Sequence, residues 1–206
     1  MSLSDAFGFY GILTEPRVGH ERLAAIMVEQ GVAFVQLRMK NASYEEVLDM
    51  ARRLRPIIRG DSRFIINDDP RLAVEVGADG LHLGQDDMPY LEARSLLGPD
   101  VIIGLSTHSP AQTRAACALD PDYIGVGPVY ATPTKRIADP VIGLQGLKEM
   151  LAESTVPTVA IGGIDHVRAP EVLAAGANNL CAVRCINQAE DPARALERIL
   201  QLIQDS

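Results

Sequence analysis

One pattern recurs from end to end of this chain: a short apolar run, a polar turn, then an amphipathic stretch of helix length. The apolar runs are Gly8–Thr14, Ala33–Lys40, Arg63–Asp68, Gly80–Gln85, Val101–Ser106, Tyr123–Tyr130, Thr158–Ile164 and Leu180–Ile186. Segments such as Tyr44–Ile58 and Pro110–Leu119 lie between them, with apolar residues spaced by three and four. Val47, Leu48, Ala51, Leu54 and Ile58 show the spacing, which predicts a helix with one buried face. The short runs are apolar on both faces, as buried parallel strands are. Strand alternating with helix implies a parallel sheet with right-handed crossovers. About eight such units predict a single-domain (β/α)8 barrel, a TIM barrel spanning residues 1–206. An open doubly wound sheet is the runner-up, but no G-x-G-x-x-G follows the first run.

Local signals mark the element ends. Ser43 stands three residues before Glu46, the spacing of a capping box. Ser109-Pro110 reads as an N-cap followed by proline at the first helical position. Gly31, Gly77 and Gly176 each close a helix just before a strand. With Trp absent and aromatics at 4%, aliphatic side chains are expected to fill the interior.

The net charge of −8 and the lack of a basic stripe or aromatic platform argue against nucleic acid as a partner. The apolar stretch Phe7–Leu13 is too short for a membrane span or a signal segment, so a cytoplasmic location is expected. Cys117, Cys181 and Cys185 are odd in number and form no C-x-x-C. Four residues along an extended strand would separate the last two by roughly 13 Å, too far for a disulfide. All three are expected to be reduced.

In such a barrel the active site lies at the C-terminal ends of the strands, and the unusual polar residues of this chain fall there. Period two puts Gln36, Arg38 and Lys40 on one face, with Val35, Leu37 and Met39 on the other. Two cations in the barrel mouth need an anion to meet them, either a ligand or a neighbouring carboxylate. Asn67 and Asp68 end the third run, and Asp87 follows the fourth. Asp68 and Asp87, beyond adjacent strands, could share a hard cation such as Mg²⁺. The competing reading makes Asp68 or Asp69 a helix cap before Pro70, and it suits Asp69 better. Ser106 could bind a ring nitrogen or amine, or simply start a turn. His82 reads as a core residue with its polar atoms satisfied. The loop after the sixth run carries Thr132, Thr134 and Lys135, suited to phosphate or a polar heterocycle. Gly162-Gly163 ends the seventh run ahead of a helix, where backbone N–H groups can meet a phosphate.

Together these residues resemble the thiamine phosphate synthase family from Tyr10 to Pro192. The matching blocks are Q-L-R-x-K at Gln36–Lys40, I-N-D at Ile66–Asp68 and H-L-G-Q-x-D at His82–Asp87. G-x-S at Gly104–Ser106, G-V-G-P-V-Y with T-x-T-K at Gly125–Lys135, and I-G-G-I at Ile161–Ile164 follow in order. The resemblance implies a transferase that joins a pyrimidine diphosphate to a thiazole phosphate and releases diphosphate, with one Mg²⁺ per site. It assigns Gln36, Arg38, Lys40, Asn67, Ser106 and Lys135 to the pyrimidine diphosphate, and Arg38, Lys40, Ser106 and Lys135 to catalysis. Asp68 and Asp87 become the metal ligands. Thr132, Thr134, Gly163, Val183 and Arg184 become the thiazole phosphate site. The implied step is largely dissociative, so the protein supplies position and charge rather than a nucleophile. A homodimer is allowed, and no membrane or nucleic-acid partner is implied.

Three positions depart from the family pattern. Met39 replaces a usual Glu but points away from the mouth by alternation. Asn179 replaces a usual Gly, at a position where a left-handed backbone is an expectation. Arg184 replaces a common Ser and is expected to add charge at the phosphate rim. The alternatives are a thiazole tautomerase-like isomerase or a non-catalytic regulatory paralogue on the same barrel. An isomerase would leave Arg38, Lys40, Asp68, Asp87 and Lys135 idle.

Overall fold

The alternation closes into a barrel. The computed structural model describes residues 5–132 and 140–206. Its strands are β1 (Gly8–Leu13), β2 (Phe34–Leu37), β3 (Arg63–Asn67), β4 (Gly80–Leu83), β5 (Ile102–Thr107), β6 (Tyr123–Val126), β7 (Thr158–Ile161) and β8 (Asn179–Cys181). They pair in parallel in chain order, and β8 returns to β1 through Gly8 opposite Asn179. Outside them lie α1 (His20–Glu29), α2 (Tyr44–Leu54), α3 (Pro70–Val76), α4 (Tyr90–Leu97), α5 (Pro110–Cys117), α6 (Gly143–Glu153) and α7 (Ala169–Ala174). The short α8 (Arg184–Asn187) and the longer α9 (Pro192–Gln204) complete the ring.

Two apolar layers follow from the two faces of each strand. Outward side chains such as Val35, Leu37, Phe64 and Ile66 pack under the helices, against Leu48, Ala51 and Leu54 of α2. Each fully buried aliphatic side chain contributes roughly 1.5–3 kcal/mol relative to exposure. Inward side chains form a second, smaller cluster of Tyr10, Ile12, Phe34, Ile65, Tyr123, Val159 and Cys181.

That inner cluster differs from the aliphatic interior expected. Tyr10, Phe34 and Tyr123 meet there with ring centroids 5.5, 5.7 and 6.0 Å apart. Rings fit because glycine faces them. A Cβ at Gly104 would lie 2.0 Å from Tyr123 Cζ, so the ring occupies space that any other residue on β5 would fill.

The caps hold. Ser43 Oγ accepts from the Glu46 N–H while Glu46 accepts from the Ser43 N–H. The Asp69 side chain accepts from the N–H groups of Arg71 and Leu72 ahead of α3. Such a cap is worth about 1 kcal/mol. Here it also leaves the preceding residue, Asp68, available to the barrel mouth.

The last strand is shorter than the apolar run predicts. It ends at Cys181, and the chain turns at Val183, whose backbone is helical, into α8. Asn187 fixes this turn: its amide donates to Ile12 O and Val183 O at 2.8 and 3.0 Å, and accepts from Thr14 N–H at 2.9 Å. Cys185 therefore stands on a helix, so the extended-strand separation from Cys181 does not apply. All three thiols are nonetheless free.

Asn179 is also used differently from the expectation. It lies within β8 and has no left-handed backbone. Its side chain accepts from Phe7 and Gly8 N–H at 2.6 and 2.9 Å and donates to Asp5 O and Thr158 O at 2.9 and 2.8 Å. It sews the segment entering β1, and the start of β7, to the closing strand.

Candidate active site

The C-terminal mouth of the barrel opens into a cavity of about 740 Å³. Gln36, Arg38, Lys40, Asn67, Asp68, Asp87, Ser106, Thr132, Gly163, Val183 and Arg184 all line it. Thr134 and Lys135 lie outside the described residues.

Gln36 is the only one of its trio within a strand. Arg38 and Lys40 follow β2 but keep the alternation, while Met39 packs on the outer apolar layer. Burial lowers the Arg38 guanidinium from its usual pKa, with Asp68 acting in the opposite sense. Lys40 answers the question of its counter-charge by pairing with the Asp68 carboxylate. Here the neighbouring-carboxylate reading holds for Lys40, across two adjacent strand ends.

Asp68 is held in an uncommon backbone conformation. Its φ is +67°, the left-handed region, and its N–H donates to His82 O at 2.8 Å. A non-glycine residue there costs of order 1 kcal/mol or more and persists where surroundings impose it. The result turns the carboxylate toward the mouth rather than into the α3 cap. Asp87 meets it from the loop after β4, with its Oδ2 accepting the Gly84 N–H at 2.6 Å. Burial raises the Asp87 pKa first, and the adjoining Asp68 carboxyl, within hydrogen-bonding reach, raises it further. Among the described residues no three His, Cys, Asp or Glu side chains converge as a metal cluster. Asp68 and Asp87 could offer two oxygen ligands to a hard ion that draws its others from water or a bound phosphate.

On the opposite rim, Gly162 and Gly163 have φ of +103° and +64°. A Cβ on Gly163 would lie 2.7 Å from Ala131 O, so the loop after β6 packs directly on this backbone. Tyr130 N–H donates to Gly162 O at 2.9 Å. The N–H groups of Gly163, Val183 and Arg184 make no backbone hydrogen bond among the described residues. They line the mouth with donors a phosphate can use. Arg184 is exposed there on α8.

Several mouth residues carry no site role in the sequence reading. Arg168 lines the cavity, donates to Gly163 O at 2.7 Å and stacks over the Tyr130 ring at 4.7 Å. Its only signal was a cation five residues past Gly163. His108 donates through Nδ1 to Gly127 O at 2.5 Å. His82 has both ring nitrogens hydrogen-bonded, as expected of a core residue, yet it lines the cavity. Tyr10 and Tyr123 form the floor. Nothing in their local sequence marks them, because the neighbours that define the floor come from other strands.

A sequence profile of the family described as thiamine monophosphate synthase matches residues 11–186. A thiamine-phosphate synthase of Gloeobacter violaceus is 48% identical over 172 residues, covering 83% of this chain and 50% of that protein. The chain thus spans half the length of that relative. One from Laribacter hongkongensis is 41% identical over 185 residues, covering 89% of this chain and 87% of that protein. The solved thiamine phosphate pyrophosphorylase of Pyrococcus furiosus superposes with a TM-score of 0.87 at 32% identity, over 97% of this chain and 96% of that one.

Proposed function

The chain belongs to the thiamine monophosphate synthase family of transferases, and from that premise we propose that its barrel mouth joins an aminopyrimidine diphosphate to a thiazole phosphate. The products are thiamine phosphate and free diphosphate. One observation carries the reading: Arg38, Lys40 and the Asp68–Asp87 pair converge on one side of a cavity whose other rim presents the Gly163 and Val183–Arg184 backbone. That is a place for a diphosphate opposite a place for a phosphate.

In this reading Gln36, Asn67 and Ser106 hold the pyrimidine, and Arg38, Lys40 and Lys135 hold its diphosphate. Thr132, Thr134, Gly163, Val183 and Arg184 take the thiazole phosphate. The C–O bond to diphosphate breaks with its electron pair leaving on oxygen, and the aminopyrimidine ring delocalises the positive charge. The thiazole nitrogen then supplies the pair for the new C–N bond. Arg38, Lys40, Ser106 and Lys135 act by position and charge, which such a step rewards most. A nucleophilic side chain is not needed.

The residues present fit a Mg²⁺ ion. Two oxygen donors stand in mutual reach, and burial together with the neighbouring carboxyl raises Asp87, so a shared cation relieves both effects. Asp68 and Asp87 would hold it, and when bound it adds positive charge beside the departing diphosphate. Without it, Lys40 balances Asp68.

Residues 1–206 act as one domain in this account, and all proposed site residues come from one chain, so a homodimer would carry one site per protomer. Among the described residues no helix is long and apolar enough to cross a membrane. Three free thiols suit the cytoplasm. Mixing the purified protein with both substrates tests the activity: thiamine phosphate should form only when both substrates and Mg²⁺ are present. Binding of thiazole phosphate with no product under any condition would overturn it.

A further inference from the structure

Across the floor of the barrel runs an unbroken line of side-chain hydrogen bonds that joins five strands. Gln36 Nε2 on β2 donates to Tyr10 Oη on β1 at 3.0 Å. Tyr10 Oη and Tyr123 Oη, on β6, are 2.7 Å apart. Tyr123 Oη lies 3.0 Å from His82 Nδ1 on β4, and His82 Nε2 lies 2.9 Å from Ser106 Oγ on β5. Gln36, Tyr10 and Tyr123 are 2%, 3% and 1% exposed, so water does not compete along that stretch.

The line has a direction. The Gln36 amide nitrogen can only donate, so the Tyr10 oxygen accepts from it, and Tyr123 Oη is the hydrogen-bond partner toward which the buried Tyr10 hydroxyl can turn its own hydrogen. Burial raises both phenols, so each keeps its proton. Tyr123, having accepted from Tyr10, donates to His82 Nδ1. That leaves the imidazole hydrogen on Nε2, donating to Ser106 Oγ. The serine hydrogen is then turned away from the histidine and toward the cavity.

We propose that this relay makes Tyr10, Tyr123 and His82 positioning residues, which hold Ser106 as a hydrogen-bond donor to the substrate. The ligand feature so selected is a lone pair on a ring nitrogen, as in an aminopyrimidine. An oxo-pyrimidine that bears N–H at that position is rejected, because two donors would face each other. The identification of Ser106 with the pyrimidine rests on the function proposed above, whereas the direction of the relay does not.

Two measurements separate these. In ¹⁵N-histidine-labelled protein, long-range ¹H–¹⁵N spectra should show His82 neutral with its hydrogen on Nε2. Tyr123→Phe keeps the ring that faces Gly104 but removes the donor to Nδ1, so the two nitrogen signals should move toward an average. Gln36→Met, similar in size but without a donor, should do the same with Tyr123 intact, and serves if Tyr123→Phe folds poorly. A wild-type hydrogen on Nδ1 overturns the proposal. In kinetics, Tyr123→Phe should lower kcat/KM for the pyrimidine diphosphate about 10-fold or more, with KM for thiazole phosphate unchanged. It should also narrow the preference for the aminopyrimidine over its oxo analogue. An altered tautomer with unchanged kcat/KM and preference refutes the positioning role. Absence of turnover in the wild type, with His82 as predicted, counts against the synthase reading and leaves the relay standing.

Discussion

At the mouth, Asp87 is a carboxyl that burial makes costly to ionise. Its folded pKa stands above the unfolded carboxyl value because of burial and then the Asp68 carboxyl. The folded chain therefore binds that proton more tightly, and stability falls as pH rises from the unfolded value through the folded one. Above that window the loss is complete. Asp87→Asn should accordingly raise the metal-free Tm at pH 7, with the gain shrinking as pH is lowered through the window. Calorimetry over a pH series checks it, and an unchanged Tm at pH 7 would count against it. Arg184, exposed at the rim, yields a second expectation. Arg184→Ser should raise KM for thiazole phosphate several-fold at low salt, and the difference should fade as salt screens the charge. An unchanged KM at low salt would show that only the backbone serves there. At this scale the alternation of Gln36, Arg38 and Lys40 was legible because period two follows from strand geometry alone. The left-handed Asp68 and its pairing with Lys40 were not, since both depend on how β3 sits beside β2 and β4.

Elements close this barrel through side chains that stand at their ends. Asn179 satisfies two donors and two acceptors around the β8–β1 seam. Removing the amide strands the N–H groups of Phe7 and Gly8, at about 1–3 kcal/mol for each that water cannot reach. Asn179→Ala should lower Tm by roughly 5–10 °C for a domain of this size. A thermal shift under 2 °C would mean that water replaces the amide at little cost. The starts of α2, α3 and α5 were readable because caps are local: Ser43, Asp69 and Ser109 bond within three residues of themselves. The end of β8 was misread because Cys181–Ile186, apolar but for Arg184, suits either conformation. Asn187 decides it through contacts to β1, far away in sequence.

At the scale of the molecule, the barrel was evident from its repeated unit, since eight buried strands with intervening amphipathic helices leave few ways to bury every face. What the repeat could not disclose is the floor. Tyr10, Phe34 and Tyr123 are scattered through the chain and meet only once the sheet closes. The mouth likewise becomes a site only when the ends of β2, β3 and β4 bring two cations and two carboxylates together, opposite the Gly162-Gly163 rim. The central claim is that Asp68 and Asp87 hold a metal ion beside the leaving diphosphate. Its most direct test is kcat of Asp87→Ala against wild type, with both substrates and Mg²⁺ saturating. The account predicts a fall of about 10²-fold or more, the scale of losing an electrostatic stabiliser, in a protein that remains folded. Unimpaired turnover would contradict it.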